Sequence, residues 1–305
     1  VENILVTVLM SMYKPNYDEL VETITSVINQ TFVELEFLII QDDNTDEITK
    51  ISNKIANFDD RITIIKNSSN LGLIDSLNKG LNLASGKYIA RIDVGDIWLK
   101  EKLSKQVKLL ETDDTLVICG TFATIIDKNG KFIKNSELSI NNDEINNDIN
   151  CCRNPFFHPS VMFRKHNKLQ YNSDALYCED YEMWIKYSYL GKMSNIPEYL
   201  LQYRIDFQSI TNSKRYLAFW NISHIFFNYI ELKHNNLNPI DNKIKITSKS
   251  TMNIFQKYSS FLYSKGLYFS YYNNKFLSLI CKSLSVIVAP DILYIYLKRI
   301  LLLKK

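Results

Sequence analysis

The sequence predicts an α/β fold in which helices flank a mostly parallel sheet. Short β-branched apolar runs alternate with segments of helical periodicity. The runs are bounded by turn residues, and three of them are followed directly by acidic or aromatic clusters. Such clusters stand at the ends of buried strands, where open α/β sheets bind ligands.

Ile4 to Leu9 reads as a first strand, and Tyr17 to Gln30 places Leu20, Ile24, Val27 and Ile28 on one helical face. Phe37-Leu38-Ile39-Ile40 is a short buried strand. Asp46 to Phe58 carries Ile48, Ile51, Ile55 and Phe58 at helical spacing, and Ile62 to Ile65 is a third strand. A helix with Leu73, Leu77 and Leu81 runs from Leu73 to Leu83 and is closed by Gly86, before a fourth strand from Lys87 to Ile92. After Asp96 the rhythm changes. A helix from Lys100 to Leu110 leads into Leu116 to Ile126, a turn at Asp127-Lys128-Asn129-Gly130 and a short strand from Lys131 to Lys134, which reads as antiparallel material. Residues 135–150, rich in Asn, Asp and Glu, read as a polar loop or short helix. His158 to Arg164 and Ile196 to Arg204 are expected strands, flanking a helix that starts near Asp180 with Tyr181, Trp184 and Ile185.

From about Ser213 the chain shifts to long aromatic and aliphatic helices, Phe219 to Leu232 and Met252 to Leu267. Phe276 to Lys305 is apolar but broken by Lys282, Pro290, Asp291 and Lys298-Arg299. A spanning helix needs roughly 20 uninterrupted apolar residues, which leaves two readings, a helix on a membrane surface or one packed in a core.

Composition narrows the function. The chain has 305 residues, 46% hydrophobic, and its 36 basic and 33 acidic residues give a net charge of +3, too balanced for an electrostatic grip on nucleic acid. Cys119, Cys151, Cys152, Cys178 and Cys281 are odd in number and lack CxxC spacing, which fits a reducing cytosol better than a disulfide framework. Val1 to Met10 reads as a strand and not as a secretion signal.

Four stretches carry candidate chemistry: Ser11-Met12-Tyr13, Gln41-Asp42-Asp43-Asn44, Arg91-Ile92-Asp93-Val94-Gly95-Asp96 and Glu179-Asp180. With Val6 to Tyr13, Ser26 to Phe32, Phe37 to Asp46, Asn70-Leu71-Gly72, Ser76 to Gly80 and Gly86 to Asp93, the chain resembles glycosyltransferase family 2 over residues 4–212. The resemblance implies the GT-A fold, a Rossmann-like mixed sheet, in a domain of residues 1–212. Residues 213–305 lie outside the resemblance and would be a helical extension, on a membrane surface or packed in a core.

By this resemblance Tyr13 stacks near a uracil, Ser11 lines the nucleotide loop and Asp43 accepts from the base NH. Asp93 matches the first acid of the family's DXD pattern, near ribose and metal. Gly95 stands where the main metal ligand is expected, and Asp96 matches the acid that follows. Tyr203-Arg204-Ile205-Asp206 resembles an element whose histidine can join the metal, with Asp206 in its place. Asp96 and Asp206 would then share Mg or Mn, hard cations suited to oxygen ligands. The opposing reading leaves the metal weak or absent and makes Asp206 a turn cap.

Inverting transfer needs one base for the acceptor hydroxyl. The resemblance assigns that role to Asp180, with Glu179 as an acceptor-binding acid. An Asp at a helix start otherwise serves as a cap. His158, Trp98 and Trp184 are expected to be packed. Arg91 and Lys79 either neutralise a diphosphate or are ordinary charges.

The implied activity is transfer of one sugar, with inversion, from a UDP-sugar to a glycan acceptor on a lipid carrier, in bacterial surface polysaccharide synthesis. The implied location is the cytoplasm, on the inner face of the membrane. No QxxRW element is present, which disfavours processive synthesis. The competing class is a glycan or nucleotide binding protein on the same scaffold, impaired by Gly95.

Overall fold

A computed structural model describes residues 4–205, 215–242 and 280. The expected βαβ rhythm opens the chain: β1 (Val6–Met12), α1 (Tyr17–Ile28), β2 (Leu35–Gln41), α2 (Asp46–Ile55), β3 (Ile62–Lys66), α3 (Gly72–Leu83) and β4 (Tyr88–Arg91). Next come β5 (Ile97–Trp98), α4 (Lys102–Thr112), β6 (Leu116–Asp127), β7 (Phe132–Ser136) and α5 (Asn142–Asn150). After these stand β8 (Met162–Arg164), α6 (Glu179–Tyr187), β9 (Lys192–Ile205) and α7 (Arg215–His234). The strands form one sheet in the order β3-β2-β1-β4-β8-β6-β9-β5, with β7 paired to β6.

The β3-β2-β1-β4 half is parallel throughout. β1 lies between β2 and β4, so the chain reverses its direction of winding there, and the crevice at the carboxyl ends of these strands is where such sheets bind ligands. The second half is mixed: β8 runs antiparallel to β4 and β6, whereas β9 runs parallel to β6. The antiparallel pairing expected after Asp96 is the pair of β6 with β7.

Both faces of the sheet are covered, as near-continuous apolar strands require. Along β1, Val6, Val8, Met10 and Met12 join Leu20, Ile24 and Val27 of α1 on one face. Leu9 meets Leu77 and Leu81 of α3 on the other. Gly80 is the contact point, because a Cβ there would stand 2.2 Å from Leu9 Cδ1. Any larger residue would have to displace the buried Leu9 side chain, an overpacking that costs about 1–3 kcal/mol. α7 adds Ile225, Phe226 and Tyr229 to the same apolar layer as Trp184.

Several local expectations shift for physical reasons. The strand expected from His158 begins as a 3-10 turn, His158–Ser160, since Pro159 has no N–H for a ladder. Trp98 is buried, though in the two-residue strand β5 and not on a helix. The polar stretch 135–150 yields α5, with Asn141 capping Glu144 N at 3.0 Å and Ile145 and Ile149 buried. Phe58 lies beyond the end of α2 and is partly exposed. The expected helix Met252 to Leu267, the segment Phe276 to Lys305 apart from Ile280, and Cys281 lie outside the described residues. Among the described residues no helix is long and apolar enough to cross a membrane.

Candidate active site

The residues expected to hold a nucleotide stand at the carboxyl ends of β1 and β2. Ser11 is half-buried in β1 beside Ile40, and Tyr13 follows the strand with 47% of its surface exposed. The Lys14 ammonium lies 5.3 Å from the Tyr13 ring centroid, so the ring already makes a cation contact on one side. Asp42 N donates to Met12 O at 2.8 Å, which joins the two strand ends.

Asp42 and Asp43 have separate tasks. Asp42 Oδ1 accepts from Asn67 Nδ2 and Leu71 N, each at 2.7 Å, and Oδ2 accepts from Gly72 N at 2.8 Å. It therefore fixes the start of α3. Asp43 Oδ1 accepts from Thr45 N at 2.9 Å, while its Oδ2 is buried and finds no hydrogen-bond partner among the described residues. A buried carboxylate oxygen left without a donor is costly, and the imide NH of a uracil is the kind of donor that satisfies it. Lys79 is spent locally, donating to Lys66 O at 3.0 Å and Asn67 Oδ1 at 2.8 Å.

The stretch after β4 is fastened to its surroundings. Thr23 Oγ1, on α1, donates to Asp96 O at 2.8 Å and accepts from Gly95 N at 2.9 Å. Arg204 N donates to Asp96 Oδ1 at 2.8 Å, and Arg204 Nε donates to Gly95 O at 2.8 Å. Asp96 thus tethers the end of β9, and its Oδ2 is buried with no hydrogen-bond partner among the described residues. Burial first, then Asp93, lifts the Asp96 carboxyl well above the usual carboxylate range. Gly95 has φ +96°, the left-handed region that favours glycine. A Cβ there would meet Arg204 Cδ and Glu19 Oε2, each at 3.5 Å. Position 95 therefore has a left-handed backbone and faces both Arg204 and Glu19.

Arg91, only 3% exposed, pairs with the Asp93 carboxylate, and its Nε is buried without a partner among the described residues. Burial opposes its charge, but Asp93, Tyr171 and Glu179 outweigh that and hold its pKa up. The same guanidinium acts on Asp180 and on His158. Asp93 and the Glu179-Asp180 pair therefore share one electrostatic space around a buried cation.

Glu179 and Asp180 open α6. Asp180 accepts from Tyr181 N at 2.7 Å and from the Asn154 side-chain amide. Asn154 Oδ1 in turn accepts from Trp184 Nε1 at 3.1 Å and Phe156 N at 3.3 Å. Burial, then the Asp180 charge, raises Glu179, and burial raises Asp180 against the pull of Tyr181 N and Asn154. Two neighbouring acids of this kind divide into a protonated and an ionised member. His158 packs against Trp184 with Nε2 2.9 Å from Tyr171 Oη, and burial and Arg91 hold it neutral. No local pattern marks Asn154 in the sequence; it becomes recognisable only once its contacts with Asp180 and Trp184 are seen.

Asp93 and Asp96 are hard oxygen donors, and the unpartnered Oδ2 of Asp96 suits a divalent cation. Among the described residues no group of three or more His, Cys, Asp or Glu side chains encloses a metal site, and Asp206 lies outside them. This pair fits the Mg pattern of one or two carboxylates completed by substrate phosphates, not an all-protein cage.

The sequence model described as Glycosyl transferase family 2 matches residues 7–174. An uncharacterized glycosyltransferase of Haemophilus influenzae is 37% identical over 215 residues, 66% of this chain and 65% of that protein, so the match spans just under two thirds of the relative's length. The O-antigen biosynthesis glycosyltransferase WbnJ of Escherichia coli is 32% identical over 68% of this chain and 83% of its own. The Escherichia coli UDP-Glc:α-D-GlcNAc-diphosphoundecaprenol β-1,3-glucosyltransferase WfgD is 27% identical over 70% of this chain and 82% of its own. In fold, the chain resembles a mannosyltransferase from Pyrobaculum calidifontis solved with GDP-Man and Mn2+. The TM-score is 0.60 at 13% identity, covering 95% of this chain and 87% of that one.

Proposed function

The chain belongs to glycosyl transferase family 2 and has the GT-A fold, and on that premise we propose that it transfers one sugar from a UDP-sugar to a glycan acceptor with inversion. The acceptor in this reading is lipid-linked, and the product enters a bacterial surface polysaccharide. The names of the O-antigen relative and of the diphosphoundecaprenol glucosyltransferase support that setting. The chain would work in the cytoplasm at the inner membrane face.

The reading is carried by the Asp180 carboxylate, held by Asn154 and sharing the space of the buried Arg91 and its partner Asp93. In the proposed step Asp180 takes the proton of the acceptor hydroxyl. The oxygen lone pair forms the new bond to the anomeric carbon, and the bond to the UDP oxygen breaks on the opposite face. Glu179, protonated because of burial and its charged neighbour, donates a hydrogen bond to the acceptor without competing for the proton. Tyr13, Ser11 and the free oxygen of Asp43 hold the nucleotide, and Asp93 the ribose side. A divalent cation, Mg or Mn, bound at Asp96 would stabilise the two negative charges on the departing diphosphate.

UDP release tests this, measured with and without Mn or Mg for the wild type and Asp180→Asn. Loss of at least a hundredfold in kcat with unchanged UDP affinity is expected for the variant. Unchanged turnover would remove Asp180 from the role of base.

A further inference from the structure

Tyr177 stands in an unusual place for its residue type. Its φ is +66°, a left-handed conformation rare for any residue except glycine and most unfavourable for bulky ones. The turn that imposes it is tied at several points. Asp174 N donates to Asn172 Oδ1 at 3.1 Å, Ala175 N to Asn172 O at 2.9 Å and Cys178 N to Ala175 O at 3.1 Å. From outside the turn, the buried Asn221 of α7 donates through Nδ2 to Leu176 O at 2.9 Å. Ala175 and Cys178 anchor the turn in the apolar layer.

The outcome of this fastening is that two large apolar side chains face solvent, Leu176 at 48% and Tyr177 at 36% exposure. Exposure of single apolar residues is ordinary and carries no weight alone. Strained backbone that a surrounding network sustains is not ordinary, and it concentrates at ligand sites. The turn runs directly into Glu179 and Asp180. Tyr177 and Asp180 are three positions apart, a reach of at most about 11 Å between Cα atoms. An acceptor sugar whose hydroxyl meets Asp180 lies within that range, whereas the nucleotide is held at the ends of β1 and β2.

We propose that Tyr177 is an acceptor-binding residue whose ring stacks on the apolar face of an acceptor pyranose, and that Asn221 positions the turn that presents it. The proposal rests on the reading of Asp180 as the base. Tyr presents a large flat ring with few rotatable bonds, suited to a sugar face, and its hydroxyl can hydrogen-bond at the rim. Glycine would relax the backbone at this position, so the tyrosine is held there at a cost in stability.

Tyr177→Gly separates the two effects, because it removes the ring and favours the observed φ. The experiment measures UDP release from the UDP-sugar donor with a panel of methyl hexosides and methyl N-acetylhexosaminides as acceptors. For Tyr177→Gly we expect a KM for the active glycoside at least tenfold higher, UDP affinity by calorimetry within twofold, and a thermal midpoint equal to or above the wild type. Tyr177→Phe should keep the glycoside KM within about threefold. Asn221→Leu, which removes the donor to Leu176, should raise the same KM and leave UDP affinity unchanged. An unchanged glycoside KM in Tyr177→Gly, or no glycoside raising UDP release by the wild type, overturns the platform. Glycoside-stimulated release that survives Asp180→Asn overturns the base assignment instead, and the KM comparison still decides Tyr177.

Discussion

The Asn154 side chain donates a hydrogen bond to the Asp180 carboxylate. The amide cannot turn round freely, because its oxygen accepts from Trp184 Nε1 and Phe156 N. Trp184 is fully buried among Phe156, His158 and Phe163, so the orientation of the proposed base, Asp180, is set by aromatic packing.

Asn154→Ala should therefore change the pH dependence of transfer. The bond favours the ionised form of Asp180 and works against the burial that raises its pKa. Without it the pKa rises further, and the base is protonated at pH values where it is now ionised. The acid limb of kcat is expected to move up by about one unit, since a hydrogen bond to a charged group is worth roughly 1.5–3 kcal/mol and part of it is recovered from water. An unmoved limb in a folded variant would separate Asn154 from the base.

The adjacent acids after β2 should part in their phenotypes. Asp42→Ala removes three hydrogen bonds, two at the start of α3 and one from Asn67 after β3, and a loss of about 1–3 kcal/mol lowers the thermal midpoint by several degrees. Asp43→Asn keeps an acceptor for Thr45 N but changes the side chain left with a free buried oxygen. Its midpoint should stay within about two degrees, while UDP affinity falls about tenfold or more. Equal effects of the two variants on UDP binding by calorimetry would contradict the division of labour.

Much of this was legible in the sequence, because strand ends are marked by apolar runs and the site hangs on strand ends. Tyr13, Asp43 and Asp93 stand where the periodicity of β1, β2 and β4 places them. Asn154, the burial of Arg91 and the tether from Asp96 to Arg204 were not legible. Each depends on residues distant in the chain, as in the pairing of Asp96 with Arg204 N, and neither periodicity nor spacing encodes such contacts. The partner and direction of β9 were not legible for the same reason: an apolar run specifies a strand and leaves its neighbour open.

Gly95→Asp should not create a better metal site. The left-handed φ opposes any side chain at about 1–2 kcal/mol, although the new Cβ itself would find ordinary contacts, 3.5 Å to both Glu19 Oε2 and Arg204 Cδ. The expected result is a thermal midpoint lower by a few degrees and Mn affinity within threefold of the wild type in calorimetric titration. A gain of tenfold or more with no loss of stability would mean that position 95 faces the cation.

Lys102 makes stability depend on pH through a group remote from the proposed chemistry. Its ammonium is fully buried, 3.8 Å from the Trp98 ring centroid and 2.7 Å from Gln106 Oε1, and burial lowers its pKa to about 7. In the unfolded chain a lysine titrates near 10.4. Between these values the unfolded state binds more protons than the folded state, so the contribution of Lys102 to stability grows as pH rises from about 7 towards 10. Cys119 works in the opposite sense above about pH 8.5, because burial pushes its thiol up to about 12. Comparison with Lys102→Met cancels that contribution up to pH 9, since the buried thiol, pushed up to about 12, stays protonated in both folded proteins. Urea midpoints at pH 7, 8 and 9 should therefore rise for the wild type relative to Lys102→Met, by up to about 1.4 kcal/mol for each pH unit. Parallel curves for the two proteins would mean that the buried amine keeps its ordinary pKa.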